Sequence, residues 1–567
     1  MKNKSLIRAS LLSAFVGATV VSCDVMKDVE YSVTPNPLEM HGDTVRVRVE
    51  GTFPEKGLRK RATAKFTPKI GDVELKPVEF KGEKAEGNGQ TIPFKPGGRF
   101  TYTEVVPYQP SMEAADVTIS GTAFRKGKEK ESFGPIKIAD ATIITPYLLQ
   151  KDLKVLIGKD QFVRVTQEQA KAQINYEKNR SEVRAAENRR EDILALQKFV
   201  AENLNNPRIA LKGFHISAYA SPEGEEGRNN ELSTARSESA KAALQSIFKK
   251  AKVDYGQSDD LYKLEGKGED WDGFKAELQK SDMNEDERNL IIRVLGMYPD
   301  PAQREKEIRN MSKTYIFLEK NILPQLRRSQ IVLNYDKVGY SDEELRNLAK
   351  SNPSILKLEE LLYAATLLDD LNDKLFVYRE AEKNSPQCWR AINNVGAILF
   401  MQGKFDEAQA KFEQANNIKS TPETLNNLGA VAYMKDDLAK ATQLFNQAKT
   451  GGPDVEHNIA NLSVKRGQYS NAIRGYGAAN SFNKALAQVL DGKLDAASST
   501  LDAAPQKDEA IAFYLRAIIA ARKGNDNAVV NNLQSAFAKD ASLKAKASRD
   551  REFIKLFDNA SFTSIVR

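Results

Sequence analysis

Hydrophobic and polar residues alternate along the first quarter of the chain. Val45, Val47 and Val49 fall on one face of an extended segment, and Arg46 and Arg48 fall on the other. Further short runs of strand-forming residues lie at 62–66, 100–106, 116–123 and 136–138. Clusters of glycine, proline, asparagine and aspartate separate these runs. The pattern predicts a small antiparallel β-sandwich over residues 31–145.

The pattern changes from about residue 146 to a mixture of strands and helices. Strands are predicted at 173–176, 209–219, 261–266 and 330–334, and helices at 192–203 and 230–250. A helical stretch at about 271–323 interrupts this order as an insertion. We therefore expect a central α+β domain over residues 165–336.

From residue 341 the chain is helical and repetitive. Gly396, Ala408, Phe412 and Ala415 recur 33 residues later as Gly429, Ala441, Phe445 and Ala448. Small residues at fixed offsets let two antiparallel helices approach closely, and the aromatic ring fills the groove between them. The pattern resembles that of tetratricopeptide (TPR) repeats. The resemblance implies an all-α TPR solenoid at 341–567, closed by a polar-faced capping helix at 552–557.

Polar and aromatic side chains recur within these repeats. Asparagine holds the same position in four successive repeats, at Asn394, Asn427, Asn458 and Asn483. An asparagine offers a donor and an acceptor, so the four can bind the backbone of an extended peptide. Alternatively, each bonds a neighbouring loop or helix end within the solenoid. Phe400 and Tyr433, later in the same helices, are either groove-lining anchors or core residues.

The segment 219–236 contains the motif that characterises the central domain. Ser221, Glu223 and Gly224 lie in a turn after a strand, followed by Asn229 and Arg236 on a helix. The order resembles the motif G-H-T-D-x-x-G, then N-x-x-L-S-x-x-R-A, of OmpA-like periplasmic domains. That resemblance implies peptidoglycan binding, in which an aspartate and an arginine hold the charged ends of a diaminopimelate side chain.

This chain departs from the OmpA-like pattern at one position. Arg236 takes the place of the family's arginine, whereas Ser221 stands where the aspartate is expected. A serine carries no negative charge for the ligand's ammonium group, although Glu223 or Glu225 in the same turn could supply one. The alternative is that Arg236 holds the preceding loop by hydrogen bonds and that the domain serves packing or partner contact.

The N-terminal residues resemble a bacterial lipoprotein signal. A basic start is followed by a short apolar run and by Val20-Val21-Ser22-Cys23, similar to a lipobox. The resemblance implies a signal peptide at 1–22, lipidation of Cys23 and a tether at 23–30. An ordinary secretion signal with an incidental cysteine is the alternative. Lipidation predicts attachment to the outer membrane, with the periplasmic face favoured over the cell surface.

Composition limits the chemistry that the chain can perform. The formal charge of +7 is spread over 28% charged residues of both signs, which does not indicate nucleic-acid binding. The three histidines lie in different segments and predict neither a metal site nor a cofactor site. No motif for a nucleophile with its base is recognisable, so no catalytic residue and no enzymatic activity are predicted.

The sequence thus predicts a multidomain lipoprotein with an Ig-like β-sandwich, a central OmpA-like α+β domain and a C-terminal TPR solenoid. We expect a non-enzymatic scaffold that recruits envelope proteins through its TPR groove, with the OmpA-like domain docking to murein or to another subunit. One alternative is a peptidoglycan tether between the outer membrane and the cell wall. Another is a surface-exposed accessory lipoprotein of a secretion or transport machine.

Overall fold

The computed structural model of the protein describes residues 25–567, which form two compact units. The first unit combines the chain up to Lys159 with Asp369–Arg567, and the second is Asp160–Leu368. The second unit is therefore inserted into the sequence of the first. The predicted signal peptide and Cys23 lie outside the described residues. None of the helices within residues 25–567 is long and apolar enough to cross a membrane.

The N-terminal part of the first unit consists of two β-sheets that share one hydrophobic core. The first sheet has the order β1-β3-β2, with β8 also paired to β3, and the second has the order β10-β9-β4-β6-β7, with β5 paired to β4. The alternation predicted at 44–49 is confirmed, since Val45, Val47 and Val49 are fully buried and pack in one cluster with Phe66 and Val117 of the second sheet. The Ig-like assignment stays a prediction. The strands are β1 (Glu30–Val33), β2 (Met40–His41), β3 (Thr44–Phe53), β4 (Ala62–Ile70), β5 (Val73–Glu74), β6 (Val78–Gly82), β7 (Gln90–Ile92), β8 (Gly98–Pro107), β9 (Asp116–Arg125) and β10 (Lys128–Asp140).

The second unit is built on a mixed four-stranded sheet with the order β11-β14-β12-β13. Strands β12 and β13 are parallel, and the other two pairs are antiparallel. Leu196 and Leu244 of the first two helices pack with Ile216 of the sheet, whereas the inserted helices have a core of their own. The OmpA-like assignment stays a prediction. The elements are β11 (Val165–Asn175), α1 (Glu191–Asn203), β12 (Ile209–Ala220), α2 (Glu226–Lys250), β13 (Tyr262–Glu269), α3 (Trp271–Lys280), α4 (Glu285–Met297), α5 (Pro301–Asn310), α6 (Ser312–Phe317), α7 (Leu323–Leu326), β14 (Arg328–Val338), α8 (Asp342–Ser351) and α9 (Leu358–Thr366).

Successive helical hairpins form the C-terminal part of the first unit, and the predicted TPR-type solenoid is confirmed. A Cβ at Gly396 would lie 2.7 Å from the Phe412 ring, and one at Gly429 would lie 2.7 Å from the Phe445 ring, so glycine lets each helix pair close. The helices are α10 (Leu371–Asn384), α11 (Trp389–Met401), α12 (Phe405–Ile418), α13 (Pro422–Met434), α14 (Leu438–Gln447), α15 (Pro453–Lys465), α16 (Tyr469–Gly475), α17 (Phe482–Leu490), α18 (Leu494–Asp502), α19 (Ala510–Arg522), α20 (Asp526–Lys539), α21 (Leu543–Ala547) and α22 (Ala560–Val566).

The two ends of the predicted solenoid differ from its middle. Helices α8 and α9, which the sequence analysis assigned to the solenoid, belong to the second compact unit. At the other end, a 3-10 helix covers Arg551–Leu556, and its Phe553 and Leu556 are buried in the core of the last hairpins. We call the helices α10–α22 the array.

Candidate functional site

The four asparagines singled out in the repeats all contact one extended segment of the chain. They lie on α11, α13, α15 and α17, and each side chain is buried. The segment is 150–158, which follows the β-sheets in sequence and carries no regular secondary structure. We call it the groove segment, and we call the asparagines the ladder. The ladder thus binds an extended backbone, and that backbone belongs to the same chain.

Each ladder asparagine makes a pair of hydrogen bonds to the main chain of one residue. The N–H of Leu156 donates to Oδ1 of Asn427 at 2.7 Å, and Nδ2 of Asn427 donates to the carbonyl of Leu156 at 2.8 Å. Equivalent pairs join Lys154 to Asn458 (2.8 and 2.7 Å), Gly158 to Asn394 (2.7 and 3.0 Å) and Gln150 to Asn483 (2.9 and 2.8 Å). Alternate residues of an extended chain present their polar groups to the same side, which matches this spacing. These four pairs of hydrogen bonds therefore recognise the backbone rather than particular side chains.

A second row of asparagines supports the ladder. Nδ2 of Asn393 donates to the carbonyl of Leu156 at 2.9 Å, and its Oδ1 accepts from Asn427 at 2.9 Å. Nδ2 of Asn426 likewise donates to the Lys154 carbonyl at 2.8 Å. Neither residue was predicted from the sequence. The signal in the sequence was the repeated doublet, Asn393-Asn394 and Asn426-Asn427. Two neighbouring asparagines that recur at one position of the repeat bring two amides to the same part of the groove.

Asp152 is the one charged side chain of the groove segment that the array binds directly. Its Oδ1 accepts hydrogen bonds from Nδ2 of Asn461 at 3.0 Å and from Nδ2 of Asn483 at 2.7 Å. Its Oδ2 lies 3.1 Å from Nε2 of His457, whose ring packs edge-on against Tyr476. The sequence analysis assigned no role to Asp152 or to His457. Their contact joins residues about 300 positions apart, so no local pattern reveals it.

Gly158 fixes the other end of the groove segment. The residue is buried, and a Cβ there would lie 2.9 Å from the Cβ and 3.0 Å from the Cα of Arg390. The Nη1 of Arg390 also donates to the carbonyl of Lys159 at 3.0 Å. A side chain at this position would push the segment away from α11. Contact with the array therefore leaves room only for glycine at position 158.

The two aromatic candidates have different surroundings. Phe400 is buried and packs edge-to-face on Phe405 of the same hairpin, with 5.1 Å between ring centroids. Tyr433 lines a cleft of about 210 Å³ together with Tyr147 and Leu149, which lie just before the groove segment. The Nζ of Lys465 is 5.5 Å from the centre of the Tyr433 ring. Tyr433 thus contacts the entry of the groove, whereas Phe400 packs within the array.

In the second unit, Arg236 uses its guanidinium to hold main-chain carbonyls. Only 1% of the residue is exposed. Its Nε donates to the carbonyl of Arg180 at 2.9 Å, Nη1 to that of Tyr219 at 2.8 Å and Nη2 to that of Glu177 at 3.3 Å. Burial lowers the pKa of Arg236 to about 10. The arrangement corresponds to the alternative in which this arginine fixes the surrounding loops.

The other candidate residues of this turn are also bound to neighbours within the second unit. The hydroxyl of Ser221 donates to Oε1 of Glu223 at 2.5 Å, and Nη2 of Arg327 lies 2.8 Å from the same oxygen. The Arg327 and Glu223 side chains are 8% and 6% exposed. Nδ2 of Asn229 donates to Oε1 of Glu269 at 2.8 Å. Of the two carboxylates that could replace the missing aspartate, Glu223 is therefore already paired with an arginine, and Glu225 is exposed.

We expect Arg236→Ala to lower the free energy of unfolding of the second unit by about 2–4 kcal/mol, because three carbonyls lose a charged donor. The exposed Arg228, about two helical turns earlier on α2, provides the control, and Arg228→Ala should change this free energy by less than about 0.5 kcal/mol. Urea unfolding followed by Trp271 fluorescence, in a Trp389→Phe background, reports on this unit alone. Equal stability of the two variants would show that Arg236 does not hold the loops.

Comparisons with known proteins give matches among solved structures only. No protein-family model matches the chain, and a search of curated proteins gives no match. Among solved structures, the APC/C hetero-tetramer Cut9–Hcn1 has a TM-score of 0.31 at 11% identity, covering 66% of this chain and 81% of that one. A tetratricopeptide repeat protein from Parabacteroides merdae has a TM-score of 0.28 at 16% identity, covering 45% and 98%. The type IV pilus biogenesis factor PilW has a TM-score of 0.22 at 17% identity, covering 40% and 89%.

Proposed function

We propose that the protein is a non-enzymatic scaffold of the bacterial outer membrane that recruits protein partners through its TPR-type array. The observation that carries the proposal is the ladder, in which four asparagines pair with the main chain of Gln150, Lys154, Leu156 and Gly158. Side-chain amides paired in this way recognise a polypeptide by its backbone, as in other modes of extended-peptide recognition. A surface of this kind binds protein segments.

The β-sheets and the array act together as the rigid part of this scaffold. The N–H of Gly42 donates to the hydroxyl oxygen of Tyr469 on α16 at 3.2 Å, and the Tyr469 ring packs edge-on against His41. At the last hairpins, Nη2 of Arg551 donates to the carbonyl of Ala114 at 2.8 Å. With the groove segment, these contacts join the two parts at several points. The scaffold therefore presents its partners at a fixed distance from the sheets.

For the second unit we propose docking to another envelope protein rather than to murein. A murein ligand of the OmpA type needs one free cationic and one free anionic side chain. Arg236 donates to three carbonyls, and Glu223 is paired with Arg327 at 2.8 Å. Freeing a buried pair of this kind leaves an uncompensated charge, which costs about 3–5 kcal/mol. Protein docking requires no such rearrangement.

The anchoring part of the proposal predicts that Cys23→Ser moves the protein from the membrane fraction to the soluble fraction and abolishes labelling with radioactive palmitate. The thiol is the acceptor of the lipid, and a serine hydroxyl does not replace it. Cys388→Ser is the control, because that free cysteine lies in the array. Membrane attachment and palmitate labelling that survive Cys23→Ser would overturn the anchoring.

Recruitment is tested by cross-linking the intact lipoprotein in cells and mapping the linked lysines by mass spectrometry. We expect cross-links from envelope proteins to fall on exposed lysines of the array such as Lys404 and Lys539. A chain that purifies alone, or partners whose cross-links all fall outside 369–567, would contradict recruitment through the array.

A further inference from the structure

The groove segment occupies the surface to which the proposed function assigns a partner. It runs from Gln150 at α17 to Gly158 at α11, so its direction is opposite to the order of the repeats. The site in the array is therefore filled by the chain's own peptide. This peptide shows what kind of ligand the site accepts.

Three positions of the groove segment are defined by more than backbone pairing. Asp152 is bound by two amide donors and lies beside His457, which favours an acidic side chain. Leu156 is half-buried, and its Cδ1 would lie 3.4 Å from a Cβ at Gly451, which indicates an apolar side chain that reaches the start of α15. Gly158 leaves no space for a side chain. The exposed Lys154, between them, is bound through its main chain only.

Attachment within the same chain makes the groove segment a strong competitor. A tethered ligand has an effective concentration on the order of millimolar. A free peptide with the same contacts, supplied at about 10 µM, then occupies about one site in a hundred. The array is consequently closed to free peptides as long as the groove segment stays in place.

We propose that the groove segment is a built-in ligand that closes a peptide-binding site, and that this site takes from a partner an extended peptide of the same pattern. That pattern is an acidic residue, an apolar residue four positions later and a glycine two positions after that. The inference rests on the proposed function, because it names the class of peptide that the array recruits and the condition under which it does so.

The experiment measures binding of a fluorescent peptide with the sequence of residues 148–160 to the full chain by fluorescence anisotropy. In the release variant, Asp152→Ala is combined with Gly158→Leu, which changes the groove segment and leaves every array residue intact. Lys154→Ala is the matched control within the segment. A third variant combines the release substitutions with Asn427→Ala and Asn458→Ala. A second peptide, which carries Asp152→Ala and Gly158→Leu, tests the pattern.

We expect the release variant to bind the peptide at least tenfold more tightly than the wild type or Lys154→Ala. The added ladder substitutions should weaken this binding at least tenfold, and the doubly substituted peptide should bind at least tenfold more weakly than the natural one. A release variant that folds but does not bind the peptide would overturn the proposal. Wild-type binding as tight as that of the release variant would show that the groove segment does not close the site.

Two further readouts make each outcome decisive. Thermal unfolding of the array, followed by Trp389 fluorescence in a Trp271→Phe background, shows whether the release variant folds. If it does not, Asp152→Ala alone carries the test, because it removes only a carboxylate and must bind the peptide more tightly than the wild type. Peptide binding without cellular partners on the array would leave the closed peptide site standing and overturn the recruitment of partners. Partners on the array without peptide binding would leave the recruitment standing and overturn the closed peptide site.

Discussion

Asn427→Ala combined with Asn458→Ala is expected to make the chain cleavable by trypsin after Lys154. The substitutions leave the N–H groups of Leu156 and Lys154 without their acceptors. The side-chain oxygens of Asn393 and Asn426 also lose their donors. A buried polar group without a partner costs about 1–3 kcal/mol, so the four together should free the groove segment.

Trypsin must take an extended main chain into its own cleft, which the ladder prevents although the Lys154 side chain is exposed. A local opening made easier by about 3 kcal/mol corresponds to cleavage about 100-fold faster. The control is Asn417→Ala, since Asn417 is an exposed asparagine of α12. Limited digestion with mass-spectrometric identification of fragments measures the rate. Cleavage of the double variant at the wild-type rate would mean that the ladder does not hold the segment.

The second large effect is expected from Glu552→Ala, which should lower the free energy of unfolding of the first unit by about 3–5 kcal/mol. The Glu552 side chain is 2% exposed. Its oxygens accept from Nη2 of Arg522 at 2.6 Å and from Nε of the same residue at 2.9 Å, and the Thr145 hydroxyl donates to it as well. Removing the carboxylate leaves the largely buried Arg522 guanidinium, whose side chain is 19% exposed, without this counter-ion.

The double variant Arg522→Met, Glu552→Met should recover much of this loss, because it removes both charges and keeps the volume. For comparison, Asp502→Ala breaks the more exposed pair with Arg516 and should cost less than about 1 kcal/mol. Urea unfolding monitored through Trp389, in a Trp271→Phe background, gives these values. A Glu552→Ala cost no larger than that of Asp502→Ala would contradict the assignment of a buried ion pair.

The repeat period allowed the ladder positions to be predicted from sequence. Residues that recur at one position of a helical repeat face the same way, so Asn394, Asn427 and Asn458 were recognised as one row. The same reasoning gave the close glycine–phenylalanine pairs, of which Gly396 with Phe412 is one. Periodicity conveys which side a residue faces but not what lies opposite it.

The occupant of the groove could not be predicted. Residues 150–158 have no periodic pattern of a strand or helix, and their partners are more than 200 positions away in sequence. The contact of Asp152 with His457 depends on how the array closes around the segment. Such long-range pairings are determined by the packing of whole elements, which local composition does not describe.

In the second unit, the sequence grouped the candidate residues in one turn and the helix after it but left their role open. Whether Arg236 binds a ligand or the protein depends on the positions of three carbonyls, which belong to Glu177, Arg180 and Tyr219. Whether the Glu223 carboxylate is free for a ligand depends in the same way on the position of Arg327, about 100 residues later. Backbone carbonyls carry no sequence signature, so only the folded structure shows where the arginine's donors go.

The central claim, that the array holds its own groove segment, is tested most directly by amide hydrogen exchange of the full chain resolved to single residues. We predict alternating protection, with the amides of Lys154, Leu156 and Gly158 exchanging at least about 100-fold more slowly than those of Val155 and Ile157. The asparagine oxygens of the ladder accept hydrogen bonds from the first three amides. An extended chain directs the amides of Val155 and Ile157 away from the ladder. Uniform exchange across 150–158 at the rate of a free peptide would contradict the account.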